Sequence, residues 1–265
     1  MHARKSADSI QRFSKQFPDR PRLVVLTGTD LHQDIPRRSP PALKSLILAT
    51  RLIFLEPQGI KCVPKSVRDK SDVIFQSAEP VDQKLVPLDK YFEVTLVGHL
   101  RQQKDPFLAV KALKMLPKSS KVRILHIGKA LSDSFQKCAI RWAKENAKYV
   151  WLGERTHLQT QRLLARSQLT LLTSKVEGAP SVVSEAVVNG VPILATRIPA
   201  ILGTLGADYP GLFEVGDAEQ LGNLIYRCES EPEFLTLLQN QIDQLKDRFS
   251  QSKEIKKWKQ LIEGL

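Results

Sequence analysis

Cysteine is scarce. Cys62, Cys138 and Cys228 are the only three in 265 residues, and no pair stands at metal-ligand spacing. That excludes a disulfide framework and a cysteine-rich metal centre, and it fits unpaired packing thiols in a reducing cytoplasm. Long apolar runs are missing too: stretches such as 169–172 and 186–188 are far too short to span a bilayer, so no transmembrane segment is expected. No apolar stretch follows Met1-His2-Ala3-Arg4-Lys5, so no secretory signal is expected either. Acidic residues are comparatively few, 28 Asp and Glu against 40 Lys and Arg, giving a net charge of +12. Such a charge suits nucleic acid, an anionic membrane surface or phosphorylated small molecules. The cations are spread along the chain, with no aromatic RNA-binding motif, zinc finger or basic block beside them, which argues against nucleic acid.

What is present is an ordinary globular share of hydrophobic residues, 42%. Short apolar runs rich in branched residues recur at 23–26, 52–55, 73–75, 94–97, 122–127, 150–152, 169–173 and 191–195, as buried parallel strands do. Helical patterns fall between many of them, at 107–116, 131–147, 157–167 and 181–188. This alternation predicts an α/β fold with parallel sheets. Residues 80–93, "PVDQKLVPLDKYFE", carry two prolines and mixed charges and read as a linker. The expected organisation is a partial N-terminal domain over 1–88, a second domain over 89–252, and a docking helix over 253–265. In that helix Ile255, Trp258, Leu261 and Ile262 share one face.

In open α/β sheets ligands bind beyond the carboxyl ends of the strands, so the residues after each strand matter most. After 94–97 comes "GHLRQQKDP": Gly98 allows close backbone approach, and His99, Arg101 and Lys104 follow on one short loop. Two such cations suit a diphosphate as well as they suit a solvated basic loop. Gly128 and then Gly153-Glu154 end the next two strands at the same edge.

The strongest signal is "SKVEGAPSVVSEAVVNG", residues 174–190. Pro180 fits a first helical turn, and Asn189-Gly190 is a stop signal. The backbone N–H groups of Gly178, Ala179, Ser181 and Val182 then gather at a helix N-terminus, an anion site. Glu185 lies one turn in, on the face of Ser181, while Glu177 lies at the strand end. A carboxylate beside an anion site would repel the ligand unless it reads something else, and sugar hydroxyls are the natural candidate. The alternative is that Glu177 caps the helix and Glu185 is a surface carboxylate.

In this order these elements resemble the retaining glycosyltransferases of family 4, with the GT-B fold of two Rossmann-like domains, the first here incomplete. "VGHLRQQKDP", the Glu-x7-Glu block and "PGLFEVGDAEQLGNLI" carry the resemblance from about Val94 to Leu265. "HARKSADSI", "LVVLTGTDLHQDI" and "LGADYPGLFEVGD" resemble the branch containing the selenosugar synthase of selenoneine biosynthesis. The resemblance implies a cytoplasmic UDP-sugar transferase without metal or other cofactor, using UDP-GlcNAc or UDP-glucose and a small anionic acceptor such as selenophosphate. It implies Lys104 on the donor diphosphate, with Arg101 as second cation because His99 stands where many members carry arginine. Glu177 is implied near the donor sugar, residues Gly178 to Val182 around the sugar–phosphate, and Glu185 on the ribose. Thr29, Asp30 and His32 fall where the acceptor side is expected. Roughly two βα units of a full first domain are expected to be missing. Ala200-Ile201 also replace an expected Gly-Asn pair on the acceptor side, and the shortened first domain makes a non-catalytic nucleotide-sugar binder the second reading.

Overall fold

The computed structural model describes residues 2–82 and 85–265. Two separate parallel sheets organise the chain. The first has the order β1-β2-β3, from Leu23–Leu26, Arg51–Phe54 and Ser71–Val73. Helix α1 (Ala7–Gln16) precedes β1, and α2 (Pro40–Leu48) joins β1 to β2. Their buried faces, including Ile10, Ala42 and Leu46, close a small core with Val24, Leu52 and Phe54.

The second sheet has six strands in the order β6-β5-β4-β7-β8-β9, and every pairing is parallel. Its strands are β4 (Phe92–Val97), β5 (Val122–Ile127), β6 (Tyr149–Gly153), β7 (Leu169–Leu172), β8 (Ile193–Thr196) and β9 (Leu212–Phe213). The connecting helices are α3 (Leu108–Leu113), α4 (Asp133–Glu145), α5 (His157–Arg166), α6 (Ser181–Asn189) and α7 (Pro199–Leu205). Helix α8 (Ala218–Ser230) starts on Asp217, whose carboxylate accepts the Gln220 N–H at 2.8 Å, and α9 (Pro232–Asp243) packs behind it. The strand order reverses beside β4, between β5 and β7, where a doubly wound sheet opens a crevice.

Several expected boundaries move, for physical reasons. Strand β8 starts at Ile193 rather than 191, because Pro192 has no N–H to give the ladder; its carbonyl accepts from Thr170 instead. Strand β4 begins at Phe92, two residues early, because the fully buried Glu93 is neutralised by Arg123 and Arg166. The linker expected over 80–93 includes Gln83 and Lys84, which lie outside the described residues.

A helix, α10 (Gln251–Glu263), covers most of the segment expected to dock, and its Glu254 Oε2 accepts the N–H of Ser77, in the segment that follows β3, at 2.7 Å. Its expected apolar face is only half used. Trp258 and Leu261 are partly buried, whereas Ile255 and Ile262 remain exposed. One flank of the helix, with Lys257, Gln260 and Leu261, lines a cavity opposite Arg51 and residues 71–74.

Candidate functional site

Two cavities, each of about 340 Å³, meet at the carboxyl ends of the strands. The first lies wholly in the second domain. Gly98, His99, Arg101 and Lys104 after β4, Gly128 after β5, Glu154 and Arg155 after β6, and Ser181 and Val182 at the start of α6 line it. Ser181 and Val182 have no carbonyl a turn behind them to bond, so their N–H groups are available to a ligand. Arg101 and Arg155 face one carboxylate, Glu154, and Lys104 is paired with Glu177 at the edge, so the cavity keeps a net positive charge.

One of its lining loops is braced from within by a residue the sequence pattern did not single out. His126, on β5, is buried; its Nε2–H donates to the Gly98 carbonyl at 3.1 Å and its Nδ1 accepts the Tyr149 hydroxyl at 2.8 Å. The Gly98 carbonyl can only accept, and that fixes the tautomer. Burial pulls the imidazole down to about 4, the bond to Gly98 only partly opposing, so it stays neutral at ordinary pH. Gly128 lets the two strand ends close up: a Cβ there would fall 2.0 Å from the Gly98 carbonyl oxygen.

The second cavity lies between the domains. Thr27, Gly28, Thr29, His32 and Gln33 line it from the loop after β1, with Leu55 and Gln76 below; Arg101, Gln103 and residues 176–179 face them. The two domains touch closely here. His32 Nε2–H donates to the Glu177 carbonyl at 2.6 Å, and a Cβ on Gly178 would fall 2.3 Å from the Gly28 nitrogen. Any side chain at either glycine would push the seam apart. A second seam contact packs the buried Glu56 carboxyl against Gly203 of α7; burial raises its pKa, the bonds from Gln58 and Gly59 partly opposing.

Lys104 and Glu177 form an ion pair at the junction, where Lys104 lines the first cavity and Glu177 the second. Ser174 Oγ–H donates to the same Glu177 oxygen at 2.6 Å and keeps the carboxylate in place. Arg101 lines both cavities. Glu177 does not cap α6, whose N-cap is Pro180 with no side-chain bond. Glu185 is not a surface group either: it is 7% exposed on α6. Burial raises its pKa, while the nearby His157 and the Ser181 hydroxyl partly offset that.

Of the three acceptor-side candidates, Thr29 and His32 line the inter-domain cavity and Asp30 does not. Asp30 is fully buried: its Oδ2 accepts the Thr27 N–H and hydroxyl at 3.0 and 3.1 Å, and its Oδ1 lies 2.9 Å from His2 Nδ1. It shapes the loop from behind, since a carboxylate in the turn after a strand bonds its own neighbours. Ile201 lies in the core rather than at the acceptor side. Thr27, Gln33, Gln76, Gln103, Arg155 and Ser174 were not legible as site residues. Only Arg155, after the third strand end, carried a signal that position could have supplied.

The chain matches the family described as "Glycosyl transferases group 1" over residues 78–246. TuaC of Bacillus subtilis (strain 168), which bears the name of a teichuronic acid biosynthesis glycosyltransferase, is 28% identical over 157 residues. That match covers 59% of this chain but only 38% of TuaC, well under half of the relative's length. Among solved structures, Anabaena HepE in complex with UDP-glucose superposes with a TM-score of 0.77 at 18% identity, over 98% of this chain and 77% of HepE. A sucrose-phosphate synthase from Thermosynechococcus elongatus gives 0.79 at 17% identity, over 99% and 72% of the two chains. At such identities the superpositions speak for the fold, and they match it to GT-B. Two parallel sheets, a cationic cavity at the second sheet's switch point and the family match therefore agree: the chain belongs to the glycosyl transferases group 1.

Proposed function

We propose that the protein transfers a sugar from a UDP-sugar, UDP-glucose or UDP-GlcNAc, with retention of anomeric configuration. The observation that carries this reading is the junction: Arg101 borders both cavities, and the Lys104–Glu177 pair stands between them. A donor lying across it places its diphosphate among Arg101, Lys104 and the α6 amides. Its sugar then reaches the inter-domain cavity. The phosphate competes for Lys104, and the freed Glu177, still held by Ser174, meets the sugar hydroxyls. Glu185, behind Ser181, is proposed to accept the ribose hydroxyls. His99, whose Nδ1 accepts the Lys129 N–H at 3.1 Å, shapes the loop from one side, leaving Arg101 as the second phosphate cation.

Fixed cations and helix amides would stabilise the departing UDP without a metal or other cofactor. Closure of the two domains would supply the positioning. HepE, solved with UDP-glucose, supports this donor class. The acceptor faces hydroxyls, amides, His32 and Arg101, a set that takes a small anion at Arg101. Selenophosphate, suggested by the selenosugar synthase resemblance, is one acceptor to test. No contact in the cleft singles it out. We place the reaction in the cytoplasm, where nucleotide sugars are made.

Incubation with UDP-glucose or UDP-GlcNAc and a panel of acceptors, including selenophosphate, phosphate and simple sugars, tests the reading by UDP release. Release with one donor–acceptor pair is expected. UDP binding without release from any pair would favour the non-catalytic binder, and no UDP binding would remove both.

A further inference from the structure

The loop that carries Thr29 and His32 to the inter-domain cavity is held from behind by groups the proposed reaction does not use. Asp30 and Asp34 are the first and last residues of one helical turn, Asp30–Asp34, and their four-residue spacing sets both carboxylates on one side. The segment before α1 meets them there. His2 Nδ1 lies 2.9 Å from Asp30 Oδ1, and one ligand atom from each of His2, Asp30 and Asp34 falls within 4.8 Å of the other two. That segment is anchored: Ala3 is fully buried, and its carbonyl accepts the hydroxyl of Ser45, on α2, at 2.7 Å.

Both carboxylates are engaged through one oxygen and open at the other. Asp30 Oδ2 takes the N–H and hydroxyl of Thr27, and Asp34 Oδ1 takes the Arg4 Nε–H at 2.8 Å. Asp30 Oδ1 and Asp34 Oδ2 are buried and accept no hydrogen bond among the described residues. Asp30 is 0% exposed, so bulk solvent does not reach its open oxygen. His2 does not supply a donor either. Its Nδ1 accepts the Lys5 N–H at 3.4 Å and so presents a lone pair to the carboxylate rather than a proton. Arg4 offsets one of the two carboxylates, which leaves one negative charge buried among acceptors.

We propose that His2, Asp30 and Asp34 bind a divalent transition-metal ion, with zinc the best fit. One imidazole and two carboxylates are three zinc ligands, and a water would complete a tetrahedron. Ligand atoms in such a site stand about 3.4 Å apart, a spacing within reach of small side-chain rotations here. Thr27 and Arg4, on the opposite oxygens, are the outer partners that orient such ligands. The Lys5 N–H gives up its long bond to Nδ1 when the ion enters. Calcium and magnesium favour more oxygen ligands and no imidazole, so the site discriminates against them. None of the three residues lines either cavity. The ion is therefore structural: it staples the segment before α1 to the loop beneath Thr29 and His32, and takes no part in the transfer.

Calorimetric titration of Zn2+ into the full chain, stripped with EDTA, tests this without UDP and so independently of the proposed reaction. One Zn2+ per chain is expected with Kd of about 10 μM or tighter, and no binding of Mg2+ or Ca2+ at about a hundredfold higher concentration. Saturating Zn2+ should raise the melting temperature by about 5 °C. His2→Ala and Asp34→Asn should each weaken zinc about tenfold or more while keeping the parent's circular dichroism, which shows that they fold. Co2+ in place of zinc should give the visible absorption of a four-coordinate site without a sulfur charge-transfer band, which separates the site from the cysteines even if a variant fails to fold. No zinc binding, which leaves a proton shared by His2 and Asp30, would overturn the proposal. So would Mg2+ binding as tight as zinc, a cobalt spectrum with sulfur bands, or folded variants that hold zinc as well as the parent.

Discussion

The two cavities are built by different means. The cavity of the second domain is made by strand ends of one six-stranded sheet, braced from within by His126 and Tyr149. The inter-domain cavity is made by a loop folded over Asp30 and pressed against another domain through Gly28 and Gly178. The first depends on a core that packs without the seam, and the second exists only while the seam is closed. Binding of the nucleotide and transfer of the sugar should therefore be separable.

The largest separation is expected from Gly28→Ala. Its Cβ would fall 2.8 Å from the Gly178 nitrogen, and two backbones cannot yield as a side chain could. UDP release in the full reaction should fall about 100-fold or more, as misplaced reactants do, while UDP affinity measured by calorimetry changes less than about threefold. Parallel losses in both would show that the cavities are not independent.

His126 provides the opposite break. Its folded pKa, about 4, lies below the ordinary imidazole value of 6.5, so only the unfolded chain gains a proton between them. Stability is thus fully present above pH 6.5 and declines as pH falls toward 4, by up to about 3 kcal/mol. His126→Phe should remove much of this acid-dependent decline and, by releasing the Gly98 carbonyl, weaken UDP. Urea midpoints from pH 7 to 4 for parent and variant check the sign. An unchanged acid slope in the variant would place the titration elsewhere.

Smaller effects divide the two glutamates. Glu185→Ala should weaken UDP itself about tenfold, the loss of charged hydrogen bonds. Glu177→Gln should weaken UDP-glucose or UDP-GlcNAc more than UDP, and could even tighten UDP because Lys104 loses its partner. Equal losses for both ligands in both variants would overturn this division. A pH profile sharpens it further. With the Glu185 pKa raised by burial, UDP affinity should start to fall, on acidification, above the ordinary carboxylate value of 4.5. Glu185→Gln should flatten that fall.

What could be read from sequence follows the same line between the cavities. The strand ends of the second domain were legible because each motif is contiguous: glycine and cations after β4, and proline, helix and Asn-Gly around α6. Position at a sheet edge then told where they converge. Glu93 and His126 were not legible as buried polar groups, because what pairs them lies on other elements: Arg123 on β5, Arg166 on α5, Tyr149 on β6, and the Gly98 carbonyl after β4. At the seam, the family resemblance singled out Thr29 and His32, which line the inter-domain cavity. It could not distinguish them from Asp30, which turns inward because Thr27 offers it two donors in the same turn. Gln76, Gln103 and Ser174 meet the site only through tertiary approach, and no local pattern marks them. Two-residue β9 was too short to register as a strand.

The central claim, that the second domain's cationic cavity holds the nucleotide independently of the seam, is tested most directly by calorimetric titration of UDP into the parent, Glu185→Ala and Gly28→Ala proteins. One UDP per chain is expected, with affinity reduced about tenfold by Glu185→Ala and left within about threefold by Gly28→Ala. No binding to the parent, or a loss in Gly28→Ala as large as that in Glu185→Ala, would contradict the account.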